Sequence, residues 1–308
     1  MSTRRCLIFG LGYTARRLAA RLVREGWQVT GTRRAPAAPE ALLPEGVPGG
    51  AVEILRFDDP AVAARVAEAE AILSSVPPDG VPPDGVPPDG DSGLPDPVLR
   101  AYGAALRAAP ARWIGYLSST GVYGDTRGAW VDETAPVGGG RRSARVEADL
   151  AWQALAREAR APVHIFRLPG IYGPGRSALD RVREGTAHRI HLPGHVFCRI
   201  HVDDIAGALL ASLARPDAPG SAALYNVADD EPASGAAVTE YACDLLGRPY
   251  PPLQTLEAAG LSPMARGFYA ESRRVRNDRL RQRLGYHLLY PTYREGLRAC
   301  LDAEGPER

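Results

Sequence analysis

The sequence predicts an α/β protein: a doubly wound parallel sheet with helices on both faces and a smaller C-terminal domain. Three observations carry that prediction. A glycine-rich turn stands between a short apolar run and an amphipathic run at the start of the chain, where strand, turn and helix would follow one another. Short apolar runs then alternate with helical patterns as far as Leu168, the signature of strands joined by crossover helices. The composition is that of an ordinary globular chain, 308 residues with 45% hydrophobic and 24% charged, long enough for a large core.

Taken in order, Arg5 to Phe9 is short, apolar and closed by Gly10, as a buried parallel strand should be. Ala15 to Glu25 carries Leu18, Leu22 and Val23 at helical spacing and stops at Gly26, a helix C-terminal signal. Trp27 to Thr32 reads as the second strand and completes a βαβ unit. Further strands are predicted at Glu53 to Phe57, Ala71 to Val76, Trp113 to Ser118 and Val163 to Leu168. Helices are predicted between them at Pro60 to Ala69, Pro97 to Ala109 and Arg142 to Arg160. The expected division is a cofactor domain of residues 1–168 plus 196–230 and a substrate domain of 169–195 plus 231–308.

One segment is low in complexity. VPPDG occurs three times in tandem from Val76 to Gly90, and proline with Pro-Asp-Gly turn chemistry excludes helix or central strand. Residues 76–92 are therefore expected to form a flexible surface loop leaving the fourth strand, on the side of the sheet where ligands bind.

Charge excludes several function classes. The formal net charge is +1, which offers no dominant polyanion-binding surface. No lysine occurs, so all 37 basic residues are arginine. Schiff-base chemistry on lysine and a lysine-bearing phosphate loop are excluded. Cys6, Cys198, Cys243 and Cys300 form no CxxC pair and suggest neither a disulfide framework nor a zinc ribbon, so a reducing cytoplasm is expected. The apolar run after Arg4 and Arg5 is too short for a secretory segment, and Ile205 to Ala214 is about half of a membrane span.

Gly10-x-Gly12-x-x-Ala15 has the spacing by which a dinucleotide pyrophosphate is held. Gly10 permits the tight turn, Gly12 the close approach of backbone to phosphate, and Ala15 the packing of helix on strand. The N–H groups of Tyr13 and Thr14 would face the phosphates along the helix dipole. The place where an acidic residue would select NAD reads Gly31-Thr32-Arg33-Arg34. Two guanidiniums there suit a 2′-phosphate, so NADP(H) is preferred over NAD(H). Asp58 is a candidate for the adenine end, and Ser75, Val76 and Pro77 for the ribose side.

Four further runs follow: SSTGVYGD (Ser118 to Asp125), RLPGIYGPGR (Arg167 to Arg176), RIHVDDIAGAL (Arg199 to Leu209) and YNVADDEP (Tyr225 to Pro232). With the glycine turn, they resemble the extended short-chain dehydrogenase/reductase superfamily, the NAD-dependent epimerase/dehydratase group built on a Rossmann domain. The stretch Ser272 to Leu297 is similar to an atypical bacterial branch of that group, the YeeZ-like proteins. The resemblance covers nearly the whole chain and admits a homodimer formed through helices of the cofactor domain.

The resemblance implies that Ser119 hydrogen-bonds the reacting oxygen of the substrate, beside Ser118, and that Leu168, Pro169 and Gly170 turn beside the nicotinamide. The family's YxxxK pair should fall within Gly140 to Trp152, yet no tyrosine lies between Val131 and Ile171. The matching register puts Arg141 at the tyrosine place and Arg145 at the lysine place, with Asp149 following. In the family that tyrosine is the general acid/base, a role worth about 10²–10⁴-fold in rate. Arginine cannot exchange the proton near neutrality. Arg145 retains a positive charge for the nicotinamide ribose, and Arg141 is suited to clamp an anion. The proton is then expected from Tyr123, Tyr172, His201 or water, in a pocket near Ser119, Arg141, Tyr172, Arg176 and His201.

Two other readings are weaker. The cluster His188, His191, His195, Cys198, His201, Asp203 and Asp204 contains metal-ligand types, but Pro193 and Gly194 break the spacing and Cys198 and His201 face opposite sides of a strand, so no metal is expected. The arginine run Arg273 to Arg283 carries Val275, Leu280 and Leu284 at near-helical spacing and no aromatics, which predicts a solvated amphipathic helix and no nucleic acid. The sequence therefore leaves two functions open. One is an NAD(P)-dependent oxidoreductase or epimerase-like enzyme for a small hydroxylated or anionic substrate, with non-standard acid/base chemistry. The other is a catalytically inactive NADP-binding sensor.

Overall fold

The computed structural model describes residues 3–35, 52–79, 95–138 and 143–304. The chain begins β1 (Arg5–Phe9), α1 (Tyr13–Arg24), β2 (Gln28–Arg33), β3 (Val52–Arg56), α2 (Ala61–Glu68), β4 (Ala71–Ser74) and α3 (Pro97–Ala108). It continues through β5 (Trp113–Ser119), β6 (Trp130–Val131), α4 (Ser143–Glu158), β7 (Val163–Leu168), β8 (Gly170–Tyr172) and α5 (Ala178–Arg183). Next come β9 (Arg189–Ile190), β10 (Arg199–His201), α6 (Val202–Ala214), β11 (Ala222–Asn226) and α7 (Gly235–Leu246). The last elements are β12 (Leu253–Gln254), α8 (Pro263–Phe268), β13 (Arg274–Val275), α9 (Asp278–Gln282) and α10 (Tyr293–Ala303).

Seven strands form one sheet in the order β11, β7, β5, β4, β1, β2, β3, and every pairing in it is parallel. The chain winds outward from β1 to β3 and then returns to the other side of β1 at β4. That reversal opens a crevice beyond the carboxyl ends of β1 and β4, where such sheets receive ligands. The predicted strands at Arg5 to Phe9 and Val163 to Leu168 form over exactly those residues.

Both faces are buried, which is why the strands are continuous apolar runs. On one face Ile8, Leu73, Phe166 and Tyr225 meet Leu18 and Leu22 of α1 and Ile205 and Leu209 of α6. On the other, Phe9, Ile72, Ile114 and Ile165 meet Val62 of α2, Leu106 of α3 and Trp152 of α4. A third cluster, with Leu179, Val238, Tyr293 and Leu297, joins α5, α7 and α10. Leu280 and Leu284, from a stretch expected in the smaller domain, lie in the first of these cores.

The VPPDG repeat lies largely outside the described residues. Its first residues are held: Asp79 N donates to the carbonyl of Pro95 at 2.8 Å. The buried Asp96 carboxylate then caps α3, accepting from Val98 N at 3.0 Å and Leu99 N at 2.9 Å, while Trp152 Nε1 reaches its other oxygen at 2.9 Å. The arginine run at Arg273 to Arg283 differs from expectation. Its first part is β13, paired in parallel with β6, and only Asp278 to Gln282 is helix. Val275 is buried beneath the bridge, so strand pairing outweighs the near-helical spacing there.

Candidate active site

The site begins at the turn between β1 and α1. Gly10 has φ +82, and a Cβ built on it would lie 2.9 Å from Cγ2 of Val76 and 3.2 Å from the Ser75 carbonyl carbon. Backbone conformation and lack of space both demand glycine. The Thr32 hydroxyl accepts the N–H of Gly10 at 3.2 Å and fastens the turn to β2. Gly12 is the N-cap of α1 in extended conformation, with no side chain to satisfy the helix's first N–H groups and no acidic residue in the first turn. Such an end suits an anion. The Tyr13 hydroxyl donates to the carbonyl of Pro174 at 3.1 Å, and the Arg176 guanidinium sits over the Tyr13 ring at 5.6 Å.

A cleft of about 630 Å³ runs from this turn past Ser75 and Pro77 to Ser118, Ser119, Arg145, Leu168, Pro169, Tyr172 and Arg176. A second cavity of about 440 Å³ adjoins it, bordered by Thr120, His188, Tyr269, Glu271 and Arg273. Ser119, Pro169, Gly170, Arg181 and Arg199 line both. Ser119, the last residue of β5, accepts the N–H of Gly121 through its Oγ at 3.1 Å and so keeps its own proton for another acceptor.

At the end of β2, Arg33 stands beside Arg56 of β3, and Arg34 is exposed. Among the described residues neither the Arg33 nor the Arg34 guanidinium has a hydrogen-bond or ion-pair partner. Asp58 is held by Arg56 through two hydrogen bonds of 3.0 Å, which keep its carboxyl below the usual range. Val76 touches the glycine turn rather than the cleft. Arg141 lies outside the described residues.

Two of the expected proton donors are not brought to the cleft. The Tyr123 hydroxyl is buried, donating to Asn226 Oδ1 at 2.7 Å and accepting from Arg167 Nη1 at 3.0 Å, and burial raises its pKa. His201 caps α6: its Nδ1 accepts the N–H of Asp203 at 3.2 Å, its Nε2 lies 3.7 Å from Cys300 Sγ, and burial pulls its pKa down to about 4. It is a neutral structural imidazole. Tyr172 reaches the cleft, but its hydroxyl donates to the Thr292 carbonyl at 3.5 Å and burial raises its pKa above the ordinary phenol value. Ser118 lines the cleft while donating to Asp149 Oδ2 at 2.6 Å.

Sequence reasoning passed over Arg181, Arg199, Glu271 and Arg273. Arg273 turns inward from the arginine run: its Nε donates to the Gly124 carbonyl at 2.9 Å, its Nη1 to that of Thr120 at 3.2 Å, and Glu271 pairs with it. The one available signal for Arg199 was a lone charge between Cys198 and Ile200, both buried. Among the described residues there is no group of three or more metal-ligating side chains. No helix there is long and apolar enough to cross a membrane.

The fold is that of a Rossmann-type α/β protein, and solved structures sharing it hold NAD or NADPH. The chain is a homologue of protein YeeZ, and solved structures that share its fold include NAD-dependent epimerase/dehydratase family members. YeeZ of Escherichia coli strain K12 is 29% identical over 295 residues, covering 92% of this chain and 95% of that protein. A conserved protein of unknown function from Silicibacter pomeroyi DSS is 45% identical, covers 98% of this chain and 99% of its own, and superposes with a TM-score of 0.82. The human epimerase family protein SDR39U1 (isoform 2), solved with NADPH, shares the fold at a TM-score of 0.72 and 19% identity, covering 98% of this chain and 100% of its own. No protein-family model matches the chain.

Proposed function

We propose that this chain is an NADP(H)-dependent oxidoreductase or epimerase-like enzyme acting on a small hydroxylated or anionic substrate. One observation carries the reading: Ser119 stands where the cleft that starts at the bare N-terminus of α1 meets the second cavity. A bound nicotinamide supplies or takes a hydride. Everything else falls to the chain. The first turn of α1 and Arg176 would hold the pyrophosphate, Arg33 and Arg34 would meet the 2′-phosphate, and Ser75 and Pro77 would border the ribose. Leu168 and Pro169 border the nicotinamide, and Arg145 supplies positive charge beside it.

Ser119 donates its free proton to the reacting substrate oxygen. With Tyr123 and His201 enclosed and Tyr172 bonded to Thr292, the proton gained or lost at that oxygen is exchanged with water in the open cleft. The cluster joining α5, α7 and α10 supports a separate substrate-side unit within residues 169–195 and 231–308. Four free, buried thiols accord with a reducing cytoplasm.

The test is a fluorescence titration with NADPH and NADH, followed by a panel of small aldehydes, ketones and oxo acids. The proposal expects NADPH to bind more tightly and to be oxidised, with turnover abolished in Ser119→Ala and NADPH affinity unchanged. The same enclosure of Tyr123 and His201 favours a second reading, an NADP-binding sensor. Tight NADPH binding without turnover across the panel would favour it.

A further inference from the structure

Arg199 and Arg181 both line the two cavities where they adjoin, and neither has an ion pair among the described residues. Arg199 enters from β10 between two buried neighbours, its stem passing Gly170, where a built Cβ would lie 3.8 Å from its Cγ. Its Nη1 is fixed by two backbone carbonyls, Phe197 at 2.9 Å and Ala233 at 3.0 Å. Among the described residues it makes no ion pair. Asp229 is near enough to interact with its charge but is 1% exposed, with neither oxygen engaged by a side chain. Burial pushes the Asp229 carboxyl well above the usual range, and the Arg199 guanidinium opposes that push. Arginine keeps its proton in proteins, so a positive charge stays in a desolvated wall without full compensation.

Arg181, on α5, lines the same two cavities and likewise makes no ion pair among the described residues. It is close enough to Arg199 for the two charges to repel. The neighbouring arginines are committed elsewhere, Arg273 to Glu271 and two carbonyls, Arg176 to the Tyr13 ring at the far end of the cleft.

We propose that Arg181 and Arg199 form an oxyanion site which seats a carboxylate or phosphate of the substrate while its reacting oxygen meets Ser119. This rests on the reading of the cleft as a nicotinamide site and narrows the substrate to an anion. Arg199 is the fixed member, held by backbone carbonyls so that little freedom is lost on binding. Arg181 is the exposed member that closes on the anion.

The test uses the full chain saturated with NADPH, so that the cofactor's own phosphate contacts are filled, at constant ionic strength. Inorganic phosphate and then malonate are titrated calorimetrically. At least one is expected to bind with one-to-one stoichiometry, and Arg181→Leu and Arg199→Leu are each expected to weaken it at least tenfold. Phosphate alone identifies a phosphorylated substrate, malonate alone a carboxylate. Arg181 is exposed, so its variant keeps the test valid if Arg199→Leu fails to fold. NADPH binding without either anion, or anion binding unchanged in Arg181→Leu, overturns the oxyanion site alone. Failure of NADPH to bind overturns the cleft reading, and this site with it.

Discussion

Arg167 closes on Asp149 through two hydrogen bonds, 3.1 Å from Nε and 2.8 Å from Nη2, and both side chains are out of reach of solvent. The pair ties β7 to α4 behind the cleft wall. Ser118 donates to the same carboxylate, and the guanidinium continues through Tyr123 to Asn226. Breaking one partner of such a pair leaves a buried charge uncompensated, at about 3–5 kcal/mol. Asp149→Ala is therefore expected to destabilise the protein by about that amount in urea unfolding. The double variant Asp149→Ala with Arg167→Met should lose less than the single one. A loss below about 1 kcal/mol in Asp149→Ala would mean the pair adds no more than an exposed one.

Gly10 and Gly12 separate stability from binding. Alanine at Gly10 meets a left-handed φ, costing about 1–2 kcal/mol, and collides with Val76, so both the melting temperature and NADPH affinity should fall. Alanine at Gly12 meets nothing nearer than the Gly10 carbonyl oxygen at 4.0 Å. Its methyl group would instead enter the cleft. Gly12→Ala should keep its melting temperature within about 2 °C while NADPH binding weakens at least tenfold. Equal thermal losses in the two variants would contradict this division.

Among the described residues the guanidiniums of Arg33, at the end of β2, and of Arg34 have no protein partner to serve. Arg33→Asp should weaken NADPH by at least tenfold, about 1.4 kcal/mol, and NADH by little, because a carboxylate repels a 2′-phosphate and accepts from a 2′-hydroxyl. Fluorescence titration with both reduced cofactors reads the ratio directly. Equal losses would remove Arg33 from the 2′-phosphate.

His201 sets a pH dependence. Burial pulls its imidazole from 6.5 down to about 4, with Asp203 opposing and Arg17 and Arg21 reinforcing the shift. Between those values the unfolded chain binds the proton and the folded one does not. Its contribution is full above about pH 6.5 and is lost as pH falls toward 4, at up to about 1.4 kcal/mol per pH unit. His201→Asn retains a capping acceptor for Asp203 N without the titration. Unfolding free energies should therefore fall more steeply in the wild type than in the variant over that range. His164, also lowered to about 4, contributes to both curves alike. Parallel curves would show that His201 is not held neutral.

Much of the cofactor half was legible because its determinants are local. Gly10, Gly12 and Ala15 lie within one turn, and the runs at Arg5 and Val163 are apolar throughout because both faces of a parallel sheet are covered. Arg273 was misread for the opposite reason. Its run has the spacing of a solvated helix, but pairing of Arg274 with Trp130 and the carbonyls of Thr120 and Gly124 turn it inward.

Order along the chain was enough to predict the parallel α/β sheet and the glycine turn between its first strand and helix, since each follows from neighbours a few residues apart. Which polar side chains face the cleft was decided only on folding. Tyr123 and His201 have the chemistry of a proton donor, yet Asn226 and Cys300, about 100 residues further along, help enclose them. Arg181 and Arg199 are unremarkable in sequence, and they acquire meaning only because α5 and β10 bring them to the same two cavities as Ser119 with no ion pair to either among the described residues.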